Sequence, residues 1–229
     1  MKIENNMMMQ FSKIDNITIG EILVIFGQSL NRCWEKAMRL FIENSCSRNL
    51  CGREYYVLND LGIQLFDYTL ESELSDLCPW NLKCRNYYLQ QVDTPGKKSE
   101  INRLYSFGSK KVNQYEFLID SLHKRKNIKP IVIPIYDPYK DMREHVPTPC
   151  ISNLIIESKE GYVNMHVNYS TMNLFRMGLF DYHQMAYLHQ KIIRDSGMKM
   201  GYLRIYTILT YMPIFDLIIS KHIFGSKYE

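Results

Sequence analysis

The six cysteines of this 229-residue sequence are its most reactive side chains. A thiol can act as a nucleophile, bind a metal or form a disulfide. Cys46/Cys51 and Cys78/Cys84 are spaced too widely for the Cys-x-x-Cys pattern of a zinc site, and no histidine pair completes either set. The N-terminal segment lacks the apolar run and small-residue cleavage site of a signal peptide. We therefore expect reduced thiols, no metal site and a cytoplasmic location.

Hydrophobic periodicity predicts the elements of the first half. Apolar residues recur at steps of three and four from Ser29 to Asn44, which indicates an amphipathic helix. Tyr55 to Phe66 is rich in β-branched and aromatic residues and is typical of a strand. A second amphipathic helix is centred on Tyr115 to Leu122. Residues 67–108 give no clear pattern.

The second half has stronger local signals. Ile131 to Tyr136 predicts a buried strand, in which Pro134 favours a sheet edge or a bulge. Alternating apolar residues on both sides of Gly161 predict a β-hairpin. The remaining predicted elements are a helix over Asp181–Ser196 capped by Gly197, a strand over Tyr202–Tyr211 and a helix from Phe215. Because strands and helices do not alternate regularly, we predict an α+β fold.

Composition excludes two classes of function. Hydrophobic residues make up 46% of the chain, but no segment supplies the ~20 continuous apolar residues of a membrane helix. The net charge is only +4 with Lys and Arg scattered, so we expect no nucleic-acid partner. Residues 1–20 are polar and predict a flexible lead-in, followed by a single domain over 21–229.

In order, these features resemble the thymidylate synthase superfamily, including its relatives that hydroxymethylate cytidylates. The shared series comprises a strand ending in Tyr136-Asp137-Pro138, the dipeptide Pro149-Cys150, the hairpin at Gly161, the helix opening at Phe180-Asp181, and Gly201 before a strand. The resemblance implies a three-layer fold with a mixed β-sheet packed by helices. It also implies a homodimer whose subunits pack sheet on sheet.

Cys150 stands where this family carries its catalytic nucleophile. The resemblance implies that its thiolate adds to a pyrimidine ring, so that the ring can attack methylenetetrahydrofolate in a methyl or hydroxymethyl transfer. The alternative role for Cys150 is that of a small buried apolar side chain.

Two further residues have family roles and ordinary alternatives. Asp181 stands where the family reads the pyrimidine edge, and a carboxyl there suits cytosine; it is also a good helix N-cap. Arg48, near Gly52, resembles the arginine of a phosphate-binding loop, and is equally typical of an exposed loop. The sequence leaves both pairs of interpretations open.

The chain departs from the family at several substrate-binding positions. Ser170 replaces an arginine that contacts phosphate and the catalytic sulfur, and Lys129-Pro130 replaces an arginine pair that crosses the dimer interface. Asn173 replaces a folate-contacting aspartate, and Tyr211 begins the segment that replaces a sugar-binding His-x-Tyr. For the family's catalytic glutamate, the nearest carboxylates in the unclear segment are those of Glu71 and Glu73.

These departures weaken nucleotide binding. Each phosphate–arginine contact is worth ~1.5–3 kcal/mol, so losing three costs several powers of ten in affinity. Lys129, Arg143 or Arg176 are candidates for a rebuilt anion site. Without a neighbouring arginine, we expect the pKa of Cys150 near the ordinary thiol value of about 8.5. Two hypotheses follow: a diverged one-carbon transferase acting on a pyrimidine or an unusual substrate, or a catalytically silent dimeric binding module.

Overall fold

A computed structural model of the chain describes residues 16–19, 22–143 and 148–225. Its strands are β1 (Asn16–Ile19), β2 (Ile22–Gly27), β3 (Cys46–Leu50), β4 (Arg53–Leu65), β5 (Ile128–Pro134), β6 (Ile151–Lys159), β7 (Tyr162–Asn173) and β8 (Lys199–Pro213). Its α-helices are α1 (Leu30–Asn44), α2 (Leu82–Asp93), α3 (Asn102–Tyr105), α4 (Gln114–Lys124), α5 (Pro138–Asp141), α6 (Leu179–Ser196) and α7 (Ile214–Gly225). The predicted α+β class is confirmed.

The strands form one mixed open sheet. Its order is β1-β2-β4-β8-β7-β6-β5, and β3 pairs with the first residues of β4. The β2/β4 and β7/β8 pairs are parallel, whereas the other pairs are antiparallel. β7 and β8 are neighbours in the sheet, although α6 lies between them in the sequence. Because the two strands are parallel, the start of α6 lies beside the C-terminal ends of both.

Several predicted elements are confirmed. Ser29 caps α1 by accepting a hydrogen bond from the amide of Arg32. β5 lies at the edge of the sheet and Pro134 is its last residue, which explains how this proline is tolerated in a strand. The register shift between β5 and β6 lies further back, between Ile128 and Ile131. β6 and β7 form the hairpin, and Gly197 ends α6 in the left-handed conformation with φ of 67°.

The start of α6 differs from the prediction. The helix begins at Leu179 and follows a π-turn over Leu174–Gly178, so Asp181 lies inside the helix and the N-cap interpretation of Asp181 is wrong. Asn173 is the capping residue here, since its side chain accepts from the amide of Arg176. The prediction failed because a π-turn has no sequence period of its own.

Other elements gave no usable pattern in the sequence. α2 and α3 lie in the segment that could not be interpreted, and α2 buries only Val92. The predicted lead-in over residues 1–20 falls mainly outside the described residues. Within it, the backbone of Asn16–Ile19 forms β1 against β2.

The apolar core changes phase along the central strands. In β8 the buried positions run Leu203, Ile205 and Thr207, then shift to Thr210 and Met212. In β7 the alternation likewise breaks between Tyr169 and Met172. The β7/β8 register is kept through this level, because Thr171 pairs with Leu209. In both strands, therefore, the buried side chains switch from one set of alternate positions to the other. The switch occurs at the same level of the sheet, where β7 lies beside Cys150.

The positions of the sheet that alternate with the core carry polar and aromatic side chains; we call them the second face. Arg204 donates to Gln64 Oε1 at 2.8 Å and lies over the Tyr202 ring. The hydroxyl of Tyr202 lies 2.9 Å from His166 Nε2, within hydrogen-bond distance. Ile208, on the same strand as Tyr202, is 53% exposed. In the part of the chain that is described, no helix is both long and apolar enough to cross a membrane.

Candidate functional site

Cys150 lies at the entry to β6 and is held by β7. The amide of Ser170 donates to the Cys150 carbonyl at 2.8 Å, and Ser170 Oγ donates to the same carbonyl at 3.1 Å. Thr171 Oγ1 donates to Cys150 Sγ at 3.8 Å. Ser170 thus positions the backbone of Cys150, while Thr171 contacts its sulfur. The thiol is half-buried, so it is not sealed in the core.

Glu100 holds the same segment from the opposite side. Its Oε1 accepts from the amide of Cys150 at 2.8 Å and its Oε2 from the amide of Ile151 at 3.0 Å. Burial raises the pKa of Glu100, and these two amides lower it. Carboxylates favour this bidentate arrangement because both oxygens carry negative charge. Glu100 is therefore a positioning residue for Cys150.

Asp181 and three tyrosines surround Cys150. Burial, followed by the charge of Glu100, raises the pKa of Asp181 well above its ordinary value, which favours the neutral carboxyl. The residue as a whole is partly exposed. Burial also raises the pKa values of Tyr88, Tyr169 and Tyr211, and the charges of Asp181 and Cys150 raise them further.

Tyr169 has an unsatisfied hydroxyl. Its side chain is 1% exposed, and its Oη has no hydrogen-bond partner among the described residues. Because this hydroxyl is influenced by Asp181, Glu100 and Cys150, it lies in the same cluster. Buried hydroxyls are normally paired, so an unpaired one in this cluster indicates a position for water or a ligand.

The cluster holds Cys150 as a thiol. Burial raises its pKa to about 11, Glu100 and Asp181 also raise it, and only the Thr171 hydroxyl lowers it. At neutral pH roughly one molecule in ten thousand carries the thiolate. The sequence predicted a pKa near the ordinary value; the structure corrects this pKa upward, first because Cys150 is largely buried and then because two carboxyls lie nearby.

The other predicted site residues lie on neighbouring strands. The rings of Tyr211 and Tyr55 lie edge to face, with their centroids 5.6 Å apart. Tyr211 also lies opposite Asn173 in the pairing of β7 with β8. Arg48 was expected in a loop but lies in β3, opposite Tyr55, with its side chain exposed. A row of residues thus leads from Cys150 through Tyr211 and Tyr55 to Arg48.

The cations proposed for an anion site are placed elsewhere. Arg176 forms a bidentate ion pair with the buried Asp216, at 2.7 and 2.8 Å. Arg143 Nε donates to the Tyr139 carbonyl of α5, and Lys129 is exposed on edge strand β5. The structure gives no support for a rebuilt anion site from these residues.

The sequence did not predict Glu100 as a site residue, and the two carboxylates that it did suggest, Glu71 and Glu73, lie beside the start of α1. Glu71 accepts from Ser29 Oγ at 2.5 Å and from the amide of Asn31, at the start of α1. The carbonyl of Glu73 accepts from the Asn31 side chain. No local pattern identifies Glu100, because its link to Cys150 spans 50 positions of sequence.

Two surface cavities of the described residues lie away from this cluster. One of about 520 Å³ is lined by residues of the 74–83 segment, including Trp80, whose indole donates to the carbonyl of Phe175. Another of about 150 Å³ lies between α1 and α7. Within the ranges that the structure describes, no three His, Cys, Asp or Glu side chains form a metal-binding group.

Comparison of the sequence with protein-family models and with curated proteins finds no match.

Proposed function

We propose that this protein is a diverged member of the thymidylate synthase superfamily that transfers a one-carbon unit to a pyrimidine through Cys150. One observation carries the proposal: Cys150 is only partly buried with its sulfur against the Thr171 hydroxyl, and the unpaired hydroxyl of Tyr169 and the carboxyl of Asp181 are near enough to interact with it electrostatically. A nucleophile, a carboxyl that can read a ring edge and an unsatisfied hydroxyl are what such a ligand requires.

The chemistry assigns a role to each group. Cys150 sulfur bonds to the sixth ring position, which makes the fifth position nucleophilic toward the methylene carbon of methylenetetrahydrofolate. Negative charge then develops on the ring edge, where the neutral carboxyl of Asp181 can donate a hydrogen bond. Loss of the proton from the fifth position expels the folate nitrogen and leaves an exocyclic methylene on the ring. Addition of a hydride from the tetrahydrofolate gives a methyl group, or addition of water gives a hydroxymethyl group, and either addition releases the Cys150 thiolate. Tyr211 offers an aromatic edge beside the ring.

The folate donor is a consumed substrate in this scheme, and the chain has one residue that fits it. Asn173 takes the position of the family's folate-contacting residue. Its Oδ1 is used by the amide of Arg176, but its amide nitrogen has no acceptor among the described residues. That nitrogen remains able to donate to a carbonyl of a pterin ring.

A covalent trap tests the proposal. In a 5-fluoropyrimidine, fluorine cannot leave as a cation, so the ternary adduct with methylenetetrahydrofolate accumulates instead of breaking down. We expect a mass increase on the peptide that contains Cys150, seen by mass spectrometry after incubation with 5-fluorinated bases, nucleosides and nucleotides. Cys150→Ser should abolish the adduct, whereas Cys84→Ser should retain it. Absence of an adduct with every fluoropyrimidine would reject the proposal.

The raised pKa of Cys150 favours a second candidate, a catalytically silent binding module of the same fold. A thiol that stays protonated is a poor nucleophile unless substrate binding removes its proton. This candidate predicts pyrimidine binding that Cys150→Ser leaves unchanged, with no adduct from any fluoropyrimidine.

We further propose that the protein acts in the cytoplasm as a homodimer formed through the second face of the sheet. Support comes from the half-buried aromatic and polar network of Tyr202, Arg204 and Gln64, together with the exposed Ile208. Such a mixed surface is typical of protein interfaces, in which aromatic residues and arginine are enriched. All six cysteines are unpaired, as in a reducing compartment.

A further inference from the structure

Helix α7 is apolar on both of its sides. Its inner side is buried in the core through Leu217 and Phe224, where α7 packs against α1, β4 and β8. Its other side carries three large apolar side chains that stay exposed: Ile214 at 48%, Phe215 at 65% and Ile218 at 60%. A helix that is apolar all round is normally covered on every side. The exposed side of α7 therefore indicates a partner that the described residues do not supply.

The exposed side chains form one continuous patch, because residues three and four positions apart are neighbours on a helix. Phe215 and Ile214 each have this relation to Ile218. Lys221 and His222 extend the same side beyond Ile218, and both are exposed. We call these five residues the outer face of α7. Single exposed apolar residues are normal, whereas a contiguous patch marks an interaction site.

Further positive charge lies beside the start of α7. Pro213, the residue before the helix, pairs with Tyr55 of β4, and Tyr55 pairs in turn with Arg48 of β3. Arg53 lies two residues before Tyr55, and both arginines are exposed. Neither arginine nor Lys221 forms an ion pair with a carboxylate of the described residues. The apolar patch is therefore bordered by cations towards both ends.

The acidic residues of this region do not cancel that charge. Asp216, the only acidic residue of α7, is buried and paired with Arg176. Two exposed carboxylates stand against the three exposed cations: Glu54 of β4, and Glu43, which borders the cavity that Lys221 also lines. The surface around the outer face keeps a positive balance.

This charge decides which partner fits. Two copies of the chain joined through this surface would bring like charges together, which opposes association. An anionic membrane surface attracts the cations and takes up the apolar side chains at its boundary, where helices that carry phenylalanine beside basic residues lie. We infer that the outer face of α7 binds the surface of a membrane that contains anionic phospholipids, with α7 lying along that surface. This inference is independent of the proposed function.

Flotation of the full chain with lipid vesicles tests the inference. We expect binding to vesicles of phosphatidylcholine mixed with phosphatidylglycerol, and at least about tenfold weaker binding to phosphatidylcholine alone, because each basic residue near an anionic surface contributes about fivefold. Phe215→Ser should weaken binding to the anionic vesicles at least about tenfold, because it removes an apolar side chain that enters the membrane boundary. Phe117→Ser is the matched control, since Phe117 is 62% exposed on α4, and it should leave binding unchanged.

A second pair of variants separates this site from the general attraction of a basic protein. Lys221→Gln should weaken binding to the anionic vesicles about fivefold, whereas Lys110→Gln, which removes an equally exposed charge outside the patch, should not. Absence of binding to the anionic vesicles, or equal binding by Phe215→Ser and Phe117→Ser, would show that the inference is wrong. It is also wrong if Phe215→Ser converts a dimer to a monomer in sedimentation velocity without lipid, because a second copy would then cover this face.

Discussion

At the scale of the residue, Cys150 combines an accessible position with a suppressed nucleophile. The sulfur is half-buried and contacts a hydroxyl, yet two carboxyls and burial keep it protonated. Enzymes that use thiolates usually lower the thiol pKa with a cation or a helix terminus. Under the proposed function, removal of the proton has to accompany substrate binding, so the free protein should be much less reactive than the complex.

This makes the pH dependence of alkylation a direct measurement. In the free protein, we expect the rate of Cys150 alkylation by iodoacetamide to rise about tenfold per pH unit from pH 7 to 10, because only the thiolate reacts and its pKa is about 11. Peptide mass spectrometry follows Cys150 separately from the exposed Cys46 and Cys51, which should react first at pH 7. A plateau below pH 8.5 would contradict the structure.

The sequence predicted Cys150, Asp181 and Tyr211 as site residues through a family pattern, and this stays a prediction, although Asp181 and Tyr211 both lie near enough to Cys150 to interact with it electrostatically. It could not predict Glu100 or Tyr88, because these lie in a segment without periodicity and reach Cys150 only through tertiary contacts. It also could not predict that Arg103 and Arg176 are paired with buried aspartates, since an ion pair across 38 or 40 positions leaves no local signal.

At the scale of the element, local periodicity was a reliable guide where one face of a helix or strand is buried. The amphipathic α1 buries its apolar stripe, and the β6/β7 hairpin alternates as predicted. The π-turn before α6 is different, because tertiary contacts fix it. Trp34 Nε1 donates to the carbonyl of Leu174 at 2.9 Å, and a methyl group added at Gly178 would lie only 2.9 Å from Leu174 Cδ1.

Gly201 supplies a prediction at this scale. A methyl group on Gly201 would lie 2.4 Å from the carbonyl oxygen of Val163 and 2.1 Å from Asn164 Oδ1, so β7 and β8 would have to separate. We expect Gly201→Ala to lower the free energy of unfolding by about 1–3 kcal/mol. Chemical denaturation measures this. Gly225→Ala is the control, because no described residue has an atom within 4 Å of its added methyl group.

At the scale of the whole molecule, two of the exposed isoleucines, Ile208 and Ile218, distinguish possible dimer surfaces. Ile208 is 53% exposed on the second face of the sheet, and Ile218 is 60% exposed on α7. If the sheet face is the interface, Ile208→Asp should convert a dimer to a monomer, because a buried carboxylate without a partner is strongly destabilising. Sedimentation velocity gives the mass of each variant.

Ile218→Asp is the matched control for this experiment, since it introduces the same charge at a similar exposure. It should leave the sedimentation coefficient unchanged. Dissociation by Ile218→Asp alone would move the interface to the helical side, and a monomeric unaltered protein would exclude the dimer altogether.

The carboxylate of Glu100 has one more consequence, for the reactions that Cys150 cannot perform well. Cysteine peptidases and acyltransferases stabilise a tetrahedral oxyanion with backbone amides close to the nucleophile. Here the amides of Cys150 and Ile151 are both occupied by Glu100, and a second negative charge could not approach them without displacing it. These amides are therefore not free to stabilise the oxyanion that forms when sulfur attacks an amide or ester carbonyl. Addition to a conjugated ring instead places the developing negative charge several atoms away from the backbone that Glu100 binds.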